Sequence, residues 1–177
     1  VCGETLDSCA ASLDAEETLD LVLFQQRNAT FYGTEVFGEY DVGEVWRGVW
    51  GIDGQYDFVR AEFDNGENVP RIPPHRLGGG VYYRDGQWFG RVGVLHAFDQ
   101  DLVAPFELTT PGYTLLNAEL SYAVKTRGPA GSSPSFNIGV RGDNLLDDEV
   151  LNSASFKRRE NVLLPGANVR FFGSATF

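Results

Sequence analysis

Asn168-Val-Arg-Phe-Phe-Gly-Ser-Ala-Thr-Phe177 alternates without a break to the last residue of the sequence. Val169, Phe171, Gly173, Ala175 and Phe177 fall on one side of an extended chain; Asn168, Arg170, Phe172, Ser174 and Thr176 fall on the other, since strand side chains alternate with period two. A soluble domain usually closes with a frayed polar tail. Ending in mid-strand on phenylalanine predicts instead a closed sheet whose last aromatic meets a lipid interface.

The same periodicity extends upstream. One helical turn fits Leu13 to Leu19, and from there on the pattern has period two, broken by turn residues. About seven strands are predicted: residues 19–42 (bent near Asn28), 45–60, 72–84, 87–99, 112–124, 135–146 and 163–177. Reversals are expected at Gly43-Glu44, at Asp85-Gly86 as a type I′ hairpin, and over the Gly/Ser-rich stretch 128–133. These connections are short, whereas those after Arg60, Asp99 and Leu146 are long, acidic and irregular. Short turns at one end and long loops at the other mark a transmembrane barrel.

Composition narrows the function. No stretch approaches the roughly 18 apolar residues of a membrane helix, and mean hydropathy is −0.21, so a membrane would be crossed by strands. The formal charge of −11 argues against nucleic acid. The sequence has no methionine, and Val1-Cys-Gly-Glu-Thr is no signal peptide; the expectation is a piece of a longer precursor. Cys2 and Cys9 share one short polar loop. A disulfide there would place the loop in an oxidising compartment; two free thiols are the alternative.

Parity sorts the strands into faces. Trp46, Gly48, Trp50, Ile52, Tyr56 and Phe58 oppose Arg47, Asp53, Gln55 and Asp57, which share their side with Val45 and Val49, and Phe136, Ile138 and Val140 oppose Asn137, Arg141 and Asp143. A half-buried soluble sandwich or lipocalin-like barrel, a ligand-binding module, fits this much equally well. The aromatics favour the membrane. Tyr40, Trp46, Tyr83, Trp88, Tyr122, Phe136 and Phe177 all fall near the short-turn end of the apolar face, as an interface girdle would. Trp46 to Tyr56, and Trp88 to Phe98, span ten residues, about 24 Å of rise in a tilted strand, close to the height of a lipid-facing band.

Ala29-Thr-Phe-Tyr-Gly-Thr-Glu, Asn68-Val-Pro-Arg-Ile-Pro-Pro-His-Arg-Leu-Gly, Thr110-Pro-Gly-Tyr-Thr-Leu-Leu-Asn-Ala-Glu-Leu-Ser-Tyr, Gly142-Asp-Asn-Leu-Leu-Asp-Asp-Glu and the ending Leu164 to Phe177 together resemble the C-terminal part of a TonB-dependent outer-membrane receptor, from about residue 25 onward. The resemblance implies an all-β, antiparallel up-and-down barrel of about 22 strands in a Gram-negative outer membrane. An N-terminal plug domain would fill it, and TonB, bound through the N-terminal region, would drive import of a scarce nutrient. On this reading residues 1–18 are an extracellular loop remnant and 19–177 the last third of the barrel, without the plug. Seven strands cannot close such a barrel, so the chain alone is expected not to transport. The spacing from Pro70 through Phe98-Asp-Gln-Asp to Pro111-Gly-Tyr is similar to the branch that includes zinc-uptake receptors, although siderophore receptors share parts of it. Phe171 and Phe177 resemble the signal read by the barrel-assembly machinery.

Few residues suggest chemistry. His75 and His96, with Asp99, Asp101 and Glu107, offer metal-compatible donors without a ligand-spacing signature; ordinary strand histidines are the preferred reading. Glu35, Glu39, Arg47, Arg91, Glu119, Arg141 and Arg170 are expected to face the lumen. Gly78-Gly79-Gly80 lies inside a strand and precedes no helix, so it is no phosphate loop; it would let strands bend or a plug pack closely. No nucleophile–base pair is evident, and neither an enzyme nor a cofactor is expected.

Overall fold

Alternating sequence rich in β-branched and aromatic residues, with proline outside the strands, favours extended chain over helix. The computed structural model describes residues 26–105, 107–125, 135–155 and 163–176. Seven strands run in it: β1 (Ala29–Val45), β2 (Gly48–Phe63), β3 (Arg76–Arg84), β4 (Trp88–Ala97), β5 (Tyr113–Lys125), β6 (Ser135–Asp143) and β7 (Asn168–Thr176). They form one antiparallel sheet in sequence order. The up-and-down order is the expected one, and the sheet is open: β1 and β7 each have a single neighbour.

Two turns differ from expectation. The sequence places the first reversal at Gly43-Glu44, but β1 continues to Val45 and reverses at Trp46-Arg47. A register shift between Asp41 and Gly43 leaves Val42 unpaired as a bulge and keeps Gly43 in the ladder opposite Trp50, the use sheets make of an extra strand residue. Trp46 then carries φ 55° at the tip. The second reversal centres on Gly86-Gln87. Gly86 alone has positive φ (85°), whereas a type I′ turn needs it at both central residues. Asp85 instead caps the turn, its Oδ1 accepting the N–H groups of Gln87 (3.0 Å) and Trp88 (2.7 Å).

Strand ends retreat where the backbone lacks donors or turns left-handed. Pro73 and Pro74 delay β3 to Arg76, Pro165 and Gly166 delay β7 to Asn168, and Asn144 (φ 50°) and Asp147 (φ 55°) end β6 at Asp143. The expected start at Leu19 and the segment 1–18 lie outside the described residues, as do Cys2, Cys9 and Phe177.

No second layer covers the sheet among the described residues. The buried apolar residues are Ala61, Tyr82, Ala97, Ala104 and Val150, and no large side chain is fully buried. A soluble sandwich would bury one whole sheet face against another. Here that face stays open, with Phe171 85% exposed and Trp46 94%.

Candidate functional site

Register carries one parity across all seven strands. Tyr40, Ile52, Val81, Val92, Ala118, Gly142 and Val169 form one cross-strand row. Trp50, Tyr83, Gly90, Leu120, Val140 and Phe171 form the next row towards the short turns. On the opposite face runs a third row: Asp41, Gly51, Tyr82, Arg91, Glu119, Arg141 and Arg170. The sheet is two-faced along its whole width.

The polar face is wired by ion pairs. Arg91 donates from Nε to Asp53 Oδ2 at 2.7 Å and from Nη2 to Oδ1 at 2.5 Å, although Asp53 is two strands away. It reaches because Gly93 and Gly80 lie beneath it: a Cβ on Gly93 would stand 2.6 Å from Arg91 Nη1, and one on Gly80 2.9 Å from Nη2. Tyr82 does the same one strand earlier. It lies across Gly51, where a Cβ would meet its ring at 2.4 Å, and its hydroxyl donates to Asp41 Oδ1 at 2.6 Å. Arg84 joins there, Nη2 donating to both Asp41 oxygens (2.8 and 2.9 Å), and Glu39 lies 3.8 Å from Arg84. Arg76 pairs with Asp57 at 2.8 Å.

Across β5–β7 the arrangement differs. Asp143 Oδ1 accepts from Arg141 Nε at 2.9 Å, and Oδ2 accepts from Arg170 Nη2 at 2.6 Å; Arg141 lies 3.7 Å from Glu119. Beside this cluster, between the strands and residues Asn144, Val150, Leu164 and Pro165, opens a recess of about 570 Å³.

Of the expected lumen-facing charges, Glu35, Glu39, Arg91, Glu119, Arg141 and Arg170 share the polar face. Arg47 does not: it sits in the first turn, 75% exposed and 3.8 Å from Asp85. Register also shows what the sequence set missed, namely Asp41, Tyr82 and the glycines that let Tyr82 and Arg91 lie flat. Strand alternation marks a face, but nothing in the sequence marks which glycine sits under which side chain.

Of the aromatic set, Tyr40, Tyr83, Trp88, Tyr122 and Phe136 have the apolar parity, and Trp46 sits at the tip of the first turn. Trp88 and Tyr122 are register partners with rings 4.6 Å apart, Trp46 stands edge-on to Tyr83 at 6.4 Å, and Phe136 pairs with Val124. Tyr40 lies one row below Tyr83, Trp88 and Tyr122 one row above it, and Phe136 a further row beyond.

The candidate metal donors are not brought together. His75 Nδ1 is 3.2 Å from Tyr56 Oη and its ring packs 4.3 Å from Phe58. His96 Nδ1 meets Thr114 Oγ1 at 2.9 Å and its ring stands over Phe98. Asp99 accepts the Gly112 N–H at 2.6 Å, and the Asp101 carbonyl accepts from Val103. Among the described residues no three His, Cys, Asp or Glu side chains converge as a metal site.

A family model described as "TonB dependent receptor-like, beta-barrel" matches residues 4–145. The match begins upstream of the motifs quoted above and ends before β7, so Phe171 lies beyond it. With most of the chain matched, and with an all-β, up-and-down sheet polar on one face and apolar on the other, the chain belongs to the TonB-dependent receptors, a family of outer-membrane nutrient importers, and carries part of their β-barrel.

Proposed function

We propose that this chain supplies seven neighbouring strands of an active importer in a Gram-negative outer membrane, the apolar face against lipid and the ion-paired face against the lumen. One observation carries the reading: a single register places every strand's apolar parity on one face, and nothing among the described residues covers that face. In water such a surface would be an aggregation liability; in a bilayer it is the required exterior.

The aromatic residues serve this reading as one interface girdle. Tilted strands turn a level line in the membrane into a diagonal through the register, and Tyr40, Tyr83, Trp88, Tyr122 and Phe136 follow such a diagonal. Phe177 would close it, while Trp46 stands off it at the tip of the first turn, further towards the turn side. Residues 1–18 belong, on this reading, to an extracellular loop and 19–177 to the C-terminal barrel. Energy would come from TonB through a plug-bearing N-terminal region, and Phe171 with Phe177 would be read by the assembly machinery. The cargo is a scarce nutrient, such as a metal chelate or a metal ion. The zinc-uptake branch rests on the spacing between residues 70 and 113 alone, and the scattered histidines add nothing to it.

Nitroxide labels test the faces. In the intact protein reconstituted into phospholipid vesicles, labels at Ile52, Val92 and Val169 should relax faster with oxygen than with a water-soluble nickel chelate. Labels at Glu119 and Arg170 should show the reverse order. Shielding of the first set from both reagents would mean a protein core, and the soluble ligand-binding module would take over.

A further inference from the structure

The recess beside β5–β7 has a mixed lining that suits one kind of guest. Leu115, Val150, Leu164 and Pro165 give it an apolar side, and Arg141 and Arg170 stand at its polar side. A concave apolar surface with a few convergent polar groups is the usual form of a small-molecule site. The recess is held in place from two directions. Val150 is 3% exposed, and its carbonyl accepts the Leu164 N–H at 2.9 Å, which joins the described stretches 144–155 and 163–167. Asn144 locks the first of these stretches, its N–H donating to Asn117 Oδ1 at 3.0 Å and its Nδ2 to the Asp148 carbonyl at 2.9 Å.

Both arginines are oriented by one carboxylate. Arg170 spends Nε (3.1 Å) and Nη2 (2.6 Å) on Asp143 Oδ2, which leaves Nη1 for a guest; its side chain is 65% exposed. Arg141 spends Nε on Asp143 Oδ1, and its Nη1 stands 3.7 Å from Glu119, beyond hydrogen-bond length. Two guanidinium groups thus share one hydrogen-bonded carboxylate, with Glu119 as a looser neighbour. A planar guanidinium fork held by a second group is the arrangement that selects carboxylates and phosphates. On the remaining polar face Glu35, Glu39, Asp41, Asp53 and Asp57 outnumber Arg76, Arg84 and Arg91, whereas Arg141 and Arg170 are matched one for one by Asp143 and Glu119. An anion approaching this wall is repelled most at the acidic β1–β3 stretch and least at β6–β7, where guanidinium N–H groups remain to receive it.

We infer that this recess binds a small amphipathic anion, its carboxylate or phosphate on Arg170 and Arg141 and its apolar body against Leu115, Val150 and Leu164. The inference rests on the importer reading and narrows its cargo, or one moiety of the cargo, to an organic acid. The binding itself needs no membrane energy, so it is measured apart from transport. Equilibrium dialysis of the purified intact protein in detergent against 2-naphthoate and its uncharged amide is the test. The acid should bind saturably and at least tenfold more tightly than the amide, a comparison that needs no variant. Arg170→Gln should weaken the acid at least tenfold and leave the amide unchanged, and Arg170→Lys should fall between, keeping charge but losing the fork. Equal affinity for acid and amide, no saturable binding of the acid, or an acid affinity untouched by Arg170→Gln would each overturn the site. The nitroxide result would stand in any of those cases, since it reads only which face meets lipid.

Discussion

The β1–β4 half of the polar face and the β5–β7 half are built from the same residue types and differ in posture. On β1–β4, Tyr82 and Arg91 lie flat across glycines and reach carboxylates two strands away. On β5–β7, Arg141 and Arg170 stand beside a carboxylate of their own neighbourhood and leave a recess next to them. The one glycine covered there, Gly139, carries the apolar ring of Phe172 rather than a charge. The difference teaches that the relief of a barrel wall is set by where the next strand has no side chain. A glycine under an arginine lowers the wall and sequesters the charge; without one the charge remains available.

Filling a saddle is the harshest way to break that contrast. A Cβ at Gly51 would stand 2.4 Å from the Tyr82 ring and 2.6 Å from the Tyr40 carbonyl oxygen. Gly51→Val therefore forces backbone as well as ring to move and costs the Tyr82–Asp41 bond, together about 3 kcal/mol. Gly173→Ala on β7 meets nothing nearer than 3.8 Å and should shift stability by no more than about 0.5 kcal/mol. Denaturant midpoints of the intact protein in micelles read both. Equal effects would show that the flat posture is incidental.

A milder comparison removes one carboxylate from each half. The Asp53 side chain is 6% exposed beneath Arg91, whereas Asp143 is 21% exposed between arginines that are 47% and 65% exposed. Asp53→Asn strips a shielded partner and should cost about 2 kcal/mol, after allowance for the partly exposed Arg91. Asp143→Asn acts where water screens the charges and should cost less than about 1 kcal/mol. The same midpoints decide it, and a larger loss at Asp143 would reverse the assignment of the buried pair.

How legible these halves are in the sequence follows from the range of each signal. Alternation is local, so all seven strands and both faces can be read from residues such as Ile52, Val81 and Val169 against Glu119 and Arg170. Prolines at 73, 74 and 165 act one residue at a time, yet they trim strands that alternation alone extends. The turn at Trp46-Arg47 is illegible because Gly43 gives a strong turn signal, yet it stays in the ladder beside a bulge at Val42, and a tryptophan at φ 55° is a poor advertisement for a reversal. The saddles and the recess need register across three strands. Arg91 above Gly80 is a coincidence of residues from two strands and becomes visible only once Val81 is known to face Val92. His75 and His96 show the converse: their metal reading needs convergence that the register denies.

The smallest expected effect lies at the short turns, where β1–β4 adds one more shielded carboxylate. Asp85 accepts the Trp88 and Gln87 N–H groups and stands 3.8 Å from Arg47 of the neighbouring turn. The bond from Trp88, and then that from Gln87, holds its carboxyl below the ordinary range. A carboxyl lowered on folding contributes stability that is fully present above its unfolded pKa and is lost as pH falls through the folded one. Amide protection at Gln87 and Trp88, corrected for the intrinsic exchange rate, should therefore hold from neutral pH down through the usual carboxylate range and fail only below it. Asp85→Asn keeps an acceptor oxygen but carries no charge to titrate, so its weaker protection should show no such acid step. If wild type and variant traced the same curve, the ordering of the turn would belong to the positive φ of Gly86, and the shielded carboxylates of β1–β4 would stop at the strands.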